Sequence, residues 1–181
     1  MLIWINGAFG AGKTSVADEL NHRLPNSMIY DPEIIGTALG YMVPKSETGD
    51  YQDLPIWRDL VVKAATALRR HYDKTLIVPM TVVNAEYLRE IIAPLEADAG
   101  SGTSELRVLS LVVSAEELRR RITEQTISDD LDVDAQARQW RLDQVERCVG
   151  ALADEDLGRH VSNEGRPVSE TVDEILSLLQ L

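Results

Sequence analysis

The sequence predicts a doubly wound α/β domain, and three observations predict it. An apolar run at residues 2–5 feeds a glycine-rich loop; further apolar runs recur at 27–30, 75–78, 107–113 and 159–162; helical patterns separate them. Leu2-Ile3-Trp4-Ile5 is apolar at every position, the pattern of a strand buried on both faces of a parallel sheet. After the loop, Val16, Ala17, Leu20 and Leu24 recur at helical spacing across 13–24, and Ser27-Met28-Ile29-Tyr30 supplies the second strand. Helical patterns follow at 55–72, 84–97, 114–125, 136–153 and 168–180. In the last of these Val172, Ile175, Leu176 and Leu179 share one face, which suits packing onto the sheet. Ala99-Gly100-Ser101-Gly102-Thr103-Ser104 reads as a flexible surface loop. The acidic stretch 128–134 reads either as a solvated loop or as a mobile lid. Residues 1–181 are expected to form a single domain, with the lid at about 119–141.

The loop itself spells Gly7-Ala8-Phe9-Gly10-Ala11-Gly12-Lys13-Thr14, a complete Gly-x-x-x-x-Gly-Lys-[Ser/Thr] phosphate loop in its required strand–loop–helix setting. Its glycines let successive backbone N–H groups turn toward phosphate oxygens. Lys13 adds charge at the β- and γ-phosphates, and the Thr14 hydroxyl suits Mg²⁺. Gly7 through Ser15, including Ala8, Phe9, Gly10, Ala11 and Gly12, are therefore the expected nucleotide-binding segment.

A net charge of −12 argues against wrapping a nucleic acid, because such proteins carry basic faces that displace counterions. Cys148 is the only cysteine and cannot form an internal disulfide, which fits a reducing compartment; it reads as a buried helical thiol. The phosphate loop begins at residue 7 without a basic leader, and no window reaches the ~20 apolar residues of a membrane span. A cytoplasmic location is expected.

Ligands of open parallel sheets sit beyond the C-terminal strand ends, which singles out Asp31 after the second strand. Its carboxylate suits accepting a substrate hydroxyl proton or ordering Mg²⁺. Asp31-Pro32-Glu33 is equally a helix start with Asp as cap. The third strand ends Val78-Pro79-Met80-Thr81 with no acid for the metal; Thr81 suits a ligand hydrogen bond or a helix cap, with Asn84 the better cap. A migrating phosphoryl group favours guanidinium partners, and Arg119, Arg120, Arg121, Arg138, Arg141 and Arg147 are available. Arg121 and Arg147 flank the expected lid and are the chosen pair, Arg121 also counting toward nucleotide binding. Arg58 suits reaching the acceptor, and Trp57 reads as core or as a stacking surface. His22, His71 and His160 stand alone, without metal-ligand spacing.

Taken together, Ile3-Trp4-Ile5-Asn6-Gly7-Ala8-Phe9-Gly10, Tyr30-Asp31-Pro32-Glu33, Met42-Val43-Pro44, Trp57-Arg58, Leu76-Ile77-Val78-Pro79-Met80-Thr81 and Arg147-Cys148-Val149 resemble the ATP-binding tunicamycin-resistance protein family, TmrB-like. The resemblance runs in order from residue 2 to about 153 and departs at 126–136, which is longer and more acidic than the family pattern. It implies a phosphate-loop kinase fold with a five-stranded parallel sheet in the order 2-3-1-4-5. It also implies ATP and Mg²⁺ as cofactors and a small-molecule acceptor, tunicamycin or a related nucleoside or sugar, with peripheral contact at the membrane left open. In that frame Lys13 and Asp31 are catalytic, Thr14 and Asp31 metal-binding, and the segment from Ile34 to Val62, with Trp57, Arg58 and Thr81, shapes the acceptor pocket. Two other outcomes stay open: ATP-dependent sequestration of the drug without modification, and an ordinary nucleoside or sugar kinase.

Overall fold

The computed structural model describes residues 1–98 and 105–180, so the loop expected at 99–104 lies outside the described residues. Parallel strands β1 (Leu2–Gly7), β2 (Ser27–Ile29), β3 (Thr75–Pro79), β4 (Leu106–Val112) and β5 (Arg159–Ser162) form a five-stranded sheet in the order β2-β3-β1-β4-β5. Around it run α1 (Lys13–Arg23), α2 (Glu33–Leu39), α3 (Pro55–His71), α4 (Ala85–Asp98), α5 (Ala115–Glu124), α6 (Leu131–Asp143), α7 (Val145–Leu152) and α8 (Val168–Leu179). This is the expected order. β1 lies between β3 and β4, with Leu2 opposite Leu76 on one side and Leu106 on the other. Every residue of β1 is buried, which explains its unbroken apolar sequence: neither face meets water.

From β1 the chain departs toward β2 and β3 on one flank and returns to β4 and β5 on the other. The C-terminal end of β1 is therefore the point where the winding reverses, the place such sheets reserve for ligands. α1 packs against α8, whose Val172, Ile175 and Leu179 are buried, and α3 packs against α4. Cys148 is fully buried on α7. Among the described residues no helix is long and apolar enough to cross a membrane.

Two elements differ from the sequence expectation. The pattern at 136–153 is two helices, with Gln144 closing α6 and opening α7. α7 turns Val145, Cys148 and Leu152 into the core while α6 leaves Leu131, Val133 and Trp140 outside, and one straight helix cannot serve both surfaces. The acidic stretch is also only partly a loop, since α6 begins within it. Asp130 caps α6 by accepting from the Asp132 and Val133 amides at 3.0 and 3.2 Å, and Asp132 and Asp134 complement the positive helix end.

Candidate functional site

β1 delivers the chain to the loop at Gly7, and α1 opens at Lys13 directly after Gly12. Gly12 has φ 90°, a left-handed conformation, and a Cβ there would sit 2.6 Å from Asn163 Nδ2. The first turn of α1 contains no acidic residue, so its positive end and free amides are not neutralised from within. Lys13 folds back over the loop, Nζ donating to the Gly7 carbonyl at 3.0 Å and the Ala8 carbonyl at 2.9 Å. Burial pushes its ammonium down to about 8, with Arg141 adding to the effect and Glu33, Cys148 and Asp31 opposing it.

A cavity of about 450 Å³ opens at this point. Phe9, Gly10, Gly12, Lys13, Thr14 and Ser15 line it from the loop; Asp31 and Glu33 line it from the end of β2. Pro32, not Asp31, is the N-cap of α2, which begins at Glu33; Asp31, one residue earlier, accepts from the Glu33 amide at 2.9 Å and lines the cavity. The sequence marks Glu33 only as part of a helix start. Its carboxyl is raised, first by burial and next by the Asp31 charge. The spacing Asp-x-Glu across a first helical turn is the signal that could have brought it out, because it sets two carboxylates at one strand exit.

The opposite wall is basic. Arg121 lines the cavity, held by Glu117 at 2.7 Å and by the Asn163 carbonyl at 2.7 Å. Arg141 lines it as well, with a 3.2 Å bond to Gln125 and its guanidinium 6.0 Å from the Phe9 ring centre. Arg147 is exposed on α7 and is not among the lining residues; the break at Gln144 gives its expected place to Arg141. Arg119 pairs with Glu146, Arg120 with Glu117 and Glu124, and Arg138 with Asp134.

Of the expected acceptor residues Asp31 lines the cavity, whereas Arg58, Trp57 and Thr81 do not. Arg58 is buried, its Nε 2.5 Å from Glu90, its guanidinium 4.1 Å above the Tyr87 ring and a second nitrogen on the Gln52 carbonyl. Trp57 is fully buried and donates to the Pro32 carbonyl at 3.2 Å, which makes it core. Thr81 neither caps α4 nor lines the cavity: its hydroxyl donates to the Gly7 carbonyl at 2.8 Å and braces the loop, while Asn84 caps α4 through the Glu86 amide. Asn6, which sequence reasoning passed over, bonds Val82 and Gly7 and locks the exit of β1 to the segment after β3.

These residues suit a nucleoside triphosphate with a divalent cation. Lys13, Arg121, Arg141 and the α1 amides offer positive charge on one cavity, and the missing Cβ of Gly12 lets backbone approach closely. The cavity lies in the size range of small-molecule sites. Among the described residues no cluster of three or more His, Cys, Asp or Glu forms a metal cage. A cation here would therefore share Thr14 and Asp31 with phosphate oxygens and water, as Mg²⁺ prefers.

The profile of the AAA domain family matches residues 2–148. The chain is similar along its whole length to the tunicamycin resistance protein of Deinococcus radiodurans, at 25% identity and a TM-score of 0.74, over 99% of this chain and 96% of that one. A gluconokinase from Sinorhizobium meliloti has the same fold, at 16% identity and a TM-score of 0.63 over 98% and 90% of the two chains. So does the APS kinase of Mycobacterium tuberculosis, solved with AMPPNP and APS, at 19% identity and a TM-score of 0.63 over 99% and 97%. No curated protein matches the chain.

Proposed function

The chain belongs to the AAA domain family, and from that premise we propose that it transfers the γ-phosphoryl group of ATP, with Mg²⁺, to a hydroxyl of the nucleoside antibiotic tunicamycin and so confers resistance to it. The observation that carries this reading is one cavity holding Lys13 and Thr14 of the phosphate loop together with the carboxylates of Asp31 and Glu33. The full-length likeness to the Deinococcus radiodurans protein supplies the drug.

In this mechanism Gly7 through Ser15 hold the phosphates through backbone amides, and Lys13 leaves the Gly7 and Ala8 carbonyls for phosphate oxygens. Thr14 and Asp31 would hold Mg²⁺, which would neutralise part of the phosphate charge. Asp31 takes the acceptor hydroxyl's proton as that oxygen bonds to the γ-phosphorus and the bond to the ADP oxygen breaks. Arg121 and Arg141 balance the charge spread over the migrating group. The segment 119–141, containing most of α5 and α6, acts as the lid that excludes water. Trp57, Arg58 and Thr81 serve by holding the walls and the loop in place.

One observation favours the alternative of sequestration: β3 runs into Pro79-Met80-Thr81 and brings no second acid to the metal. Drug-dependent ADP release separates the two. Tunicamycin added to protein and Mg²⁺-ATP is expected to release ADP over many turnovers, and Lys13→Ala to abolish it. Tight drug binding with no ADP above background would contradict transfer.

A further inference from the structure

Two buried polar side chains beside the phosphate loop, one of them a lining residue of the cavity, have no part in the chemistry above. Asn163 follows β5 and Thr171 lies on α8; they are 3% and 0% exposed. Asn163 Nδ2 donates to the Ala11 carbonyl at 2.7 Å, and its Oδ1 accepts from the Thr171 hydroxyl at 2.6 Å. Its backbone is fixed too: the amide continues the β4–β5 ladder onto Val112 at 3.1 Å, and the carbonyl accepts from Arg121 at 2.7 Å. Thr171 Oγ1 accepts in turn from Arg166 Nε at 3.1 Å, and Arg166, which also lines the cavity, pairs with Glu174 at 2.7 Å.

We propose that Asn163 is a positioning residue for the phosphate loop, with Thr171 orienting it. This rests on the nucleotide-binding reading of the loop. A trans peptide is planar, with C=O and N–H pointing opposite ways. Drawing the Ala11 carbonyl to Asn163 therefore turns the Gly12 N–H away from Asn163. The same amide stands where a Gly12 Cβ would be, 2.6 Å away, so Asn163 dictates both the orientation and the bareness of that peptide. Thr171 donates only to the oxygen of the Asn163 amide and thereby selects the rotamer that presents nitrogen to Ala11. Arg121 and Arg166 hang from the same pair, so loop and guanidiniums share one anchor. No apolar residue of similar size would serve, because the buried Ala11 carbonyl would lose its donor.

The test is the affinity of the full chain for AMPPNP with Mg²⁺, measured by calorimetry beside thermal unfolding, for Asn163→Ala, Thr171→Val and Thr171→Ser. Asn163→Ala and Thr171→Val are expected to weaken binding by about tenfold or more, while Thr171→Ser, which keeps the hydroxyl, stays within about twofold. A purely stabilising role would lower the melting temperature and leave affinity alone. Folded Asn163→Ala or Thr171→Val protein that binds AMPPNP as tightly as the parent overturns the proposal; if Asn163→Ala does not fold, the Thr171 pair decides. Failure of the parent chain to bind AMPPNP would contradict the nucleotide reading, and the positioning role would fall with it.

Discussion

With its ammonium held against the Gly7 and Ala8 carbonyls, Lys13 is half-buried at the cavity, and burial pushes it down to about 8 in the free protein. Phosphate oxygens favour its charged form, so nucleotide binding takes up a proton once the solution is more basic than that. Affinity for AMPPNP is expected to hold between about pH 7 and 8 and then to weaken by up to about tenfold per pH unit; an affinity flat to pH 9.5 would contradict this. The same shift acts on the free fold with the opposite sense. Below about pH 8 the buried charge is destabilising, and that penalty fades toward 10.5, where the unfolded chain also loses the proton. Asp31 offers a cleaner substitution. The Asn side-chain oxygen accepts as the Asp oxygen does, so Asp31→Asn keeps the bond to the Glu33 amide and removes the negative charge that would serve the acceptor proton and the metal. Turnover should fall by roughly 10²–10⁴-fold with affinity for the metal-free nucleotide kept, and unchanged turnover would remove Asp31 from the mechanism.

At the scale of elements, the join between α5 and α6 hangs on Asp134, which is buried, accepts from the Ile127 and Ser128 amides at 2.6 and 3.2 Å and pairs with Arg138. Those amides, the Ile127 one foremost, hold its carboxyl below the usual range. Its contribution is therefore present above an unfolded-chain value near 3.8 and is lost as pH falls below it. Gln125 and Arg141, both lining the cavity, are joined by a bond across this connection. Asp134→Ala should speed amide hydrogen exchange across 125–130 and weaken AMPPNP binding; unchanged exchange there would show that the segment is held by something else. The same region shows why sequence misled. Read as one helix, 136–153 puts Arg141 and Arg147 on a single element, whereas the break at Gln144 sends Arg141 to the cavity and Arg147 to solvent. Periodicity finds helices but is blind to a turn made without glycine or proline.

For the molecule as a whole, the strand order came with the family resemblance, while β1, the phosphate loop and α1 were legible because local rules govern them: an unbroken apolar strand, glycines at a tight turn, a fixed Lys-Thr pair. Arg58, Trp57, Thr81 and Asn163 were not, because their partners lie far along the chain. Glu90 holds Arg58, Pro32 takes the Trp57 N–H, Gly7 takes Thr81, and the Asn163 bond to Ala11 spans 152 residues. The core carries a test of its own. Trp4 is fully buried at the centre of the sheet, and its indole N–H finds no acceptor among the described residues. Trp4→Ala should cost about 3–5 kcal/mol in chemical unfolding. Trp4→Phe should cost about 1 kcal/mol or less, since removing an unpaired buried donor offsets the lost volume; equal losses for the two would contradict the orphaned indole. Phosphoryl transfer to the drug is decided by the mass of tunicamycin after incubation with the protein, ATP and Mg²⁺, beside Lys13→Ala. The drug is expected to gain one phosphoryl group that the variant cannot add; drug recovered unchanged from a protein that holds it tightly would overturn transfer and leave sequestration as the function.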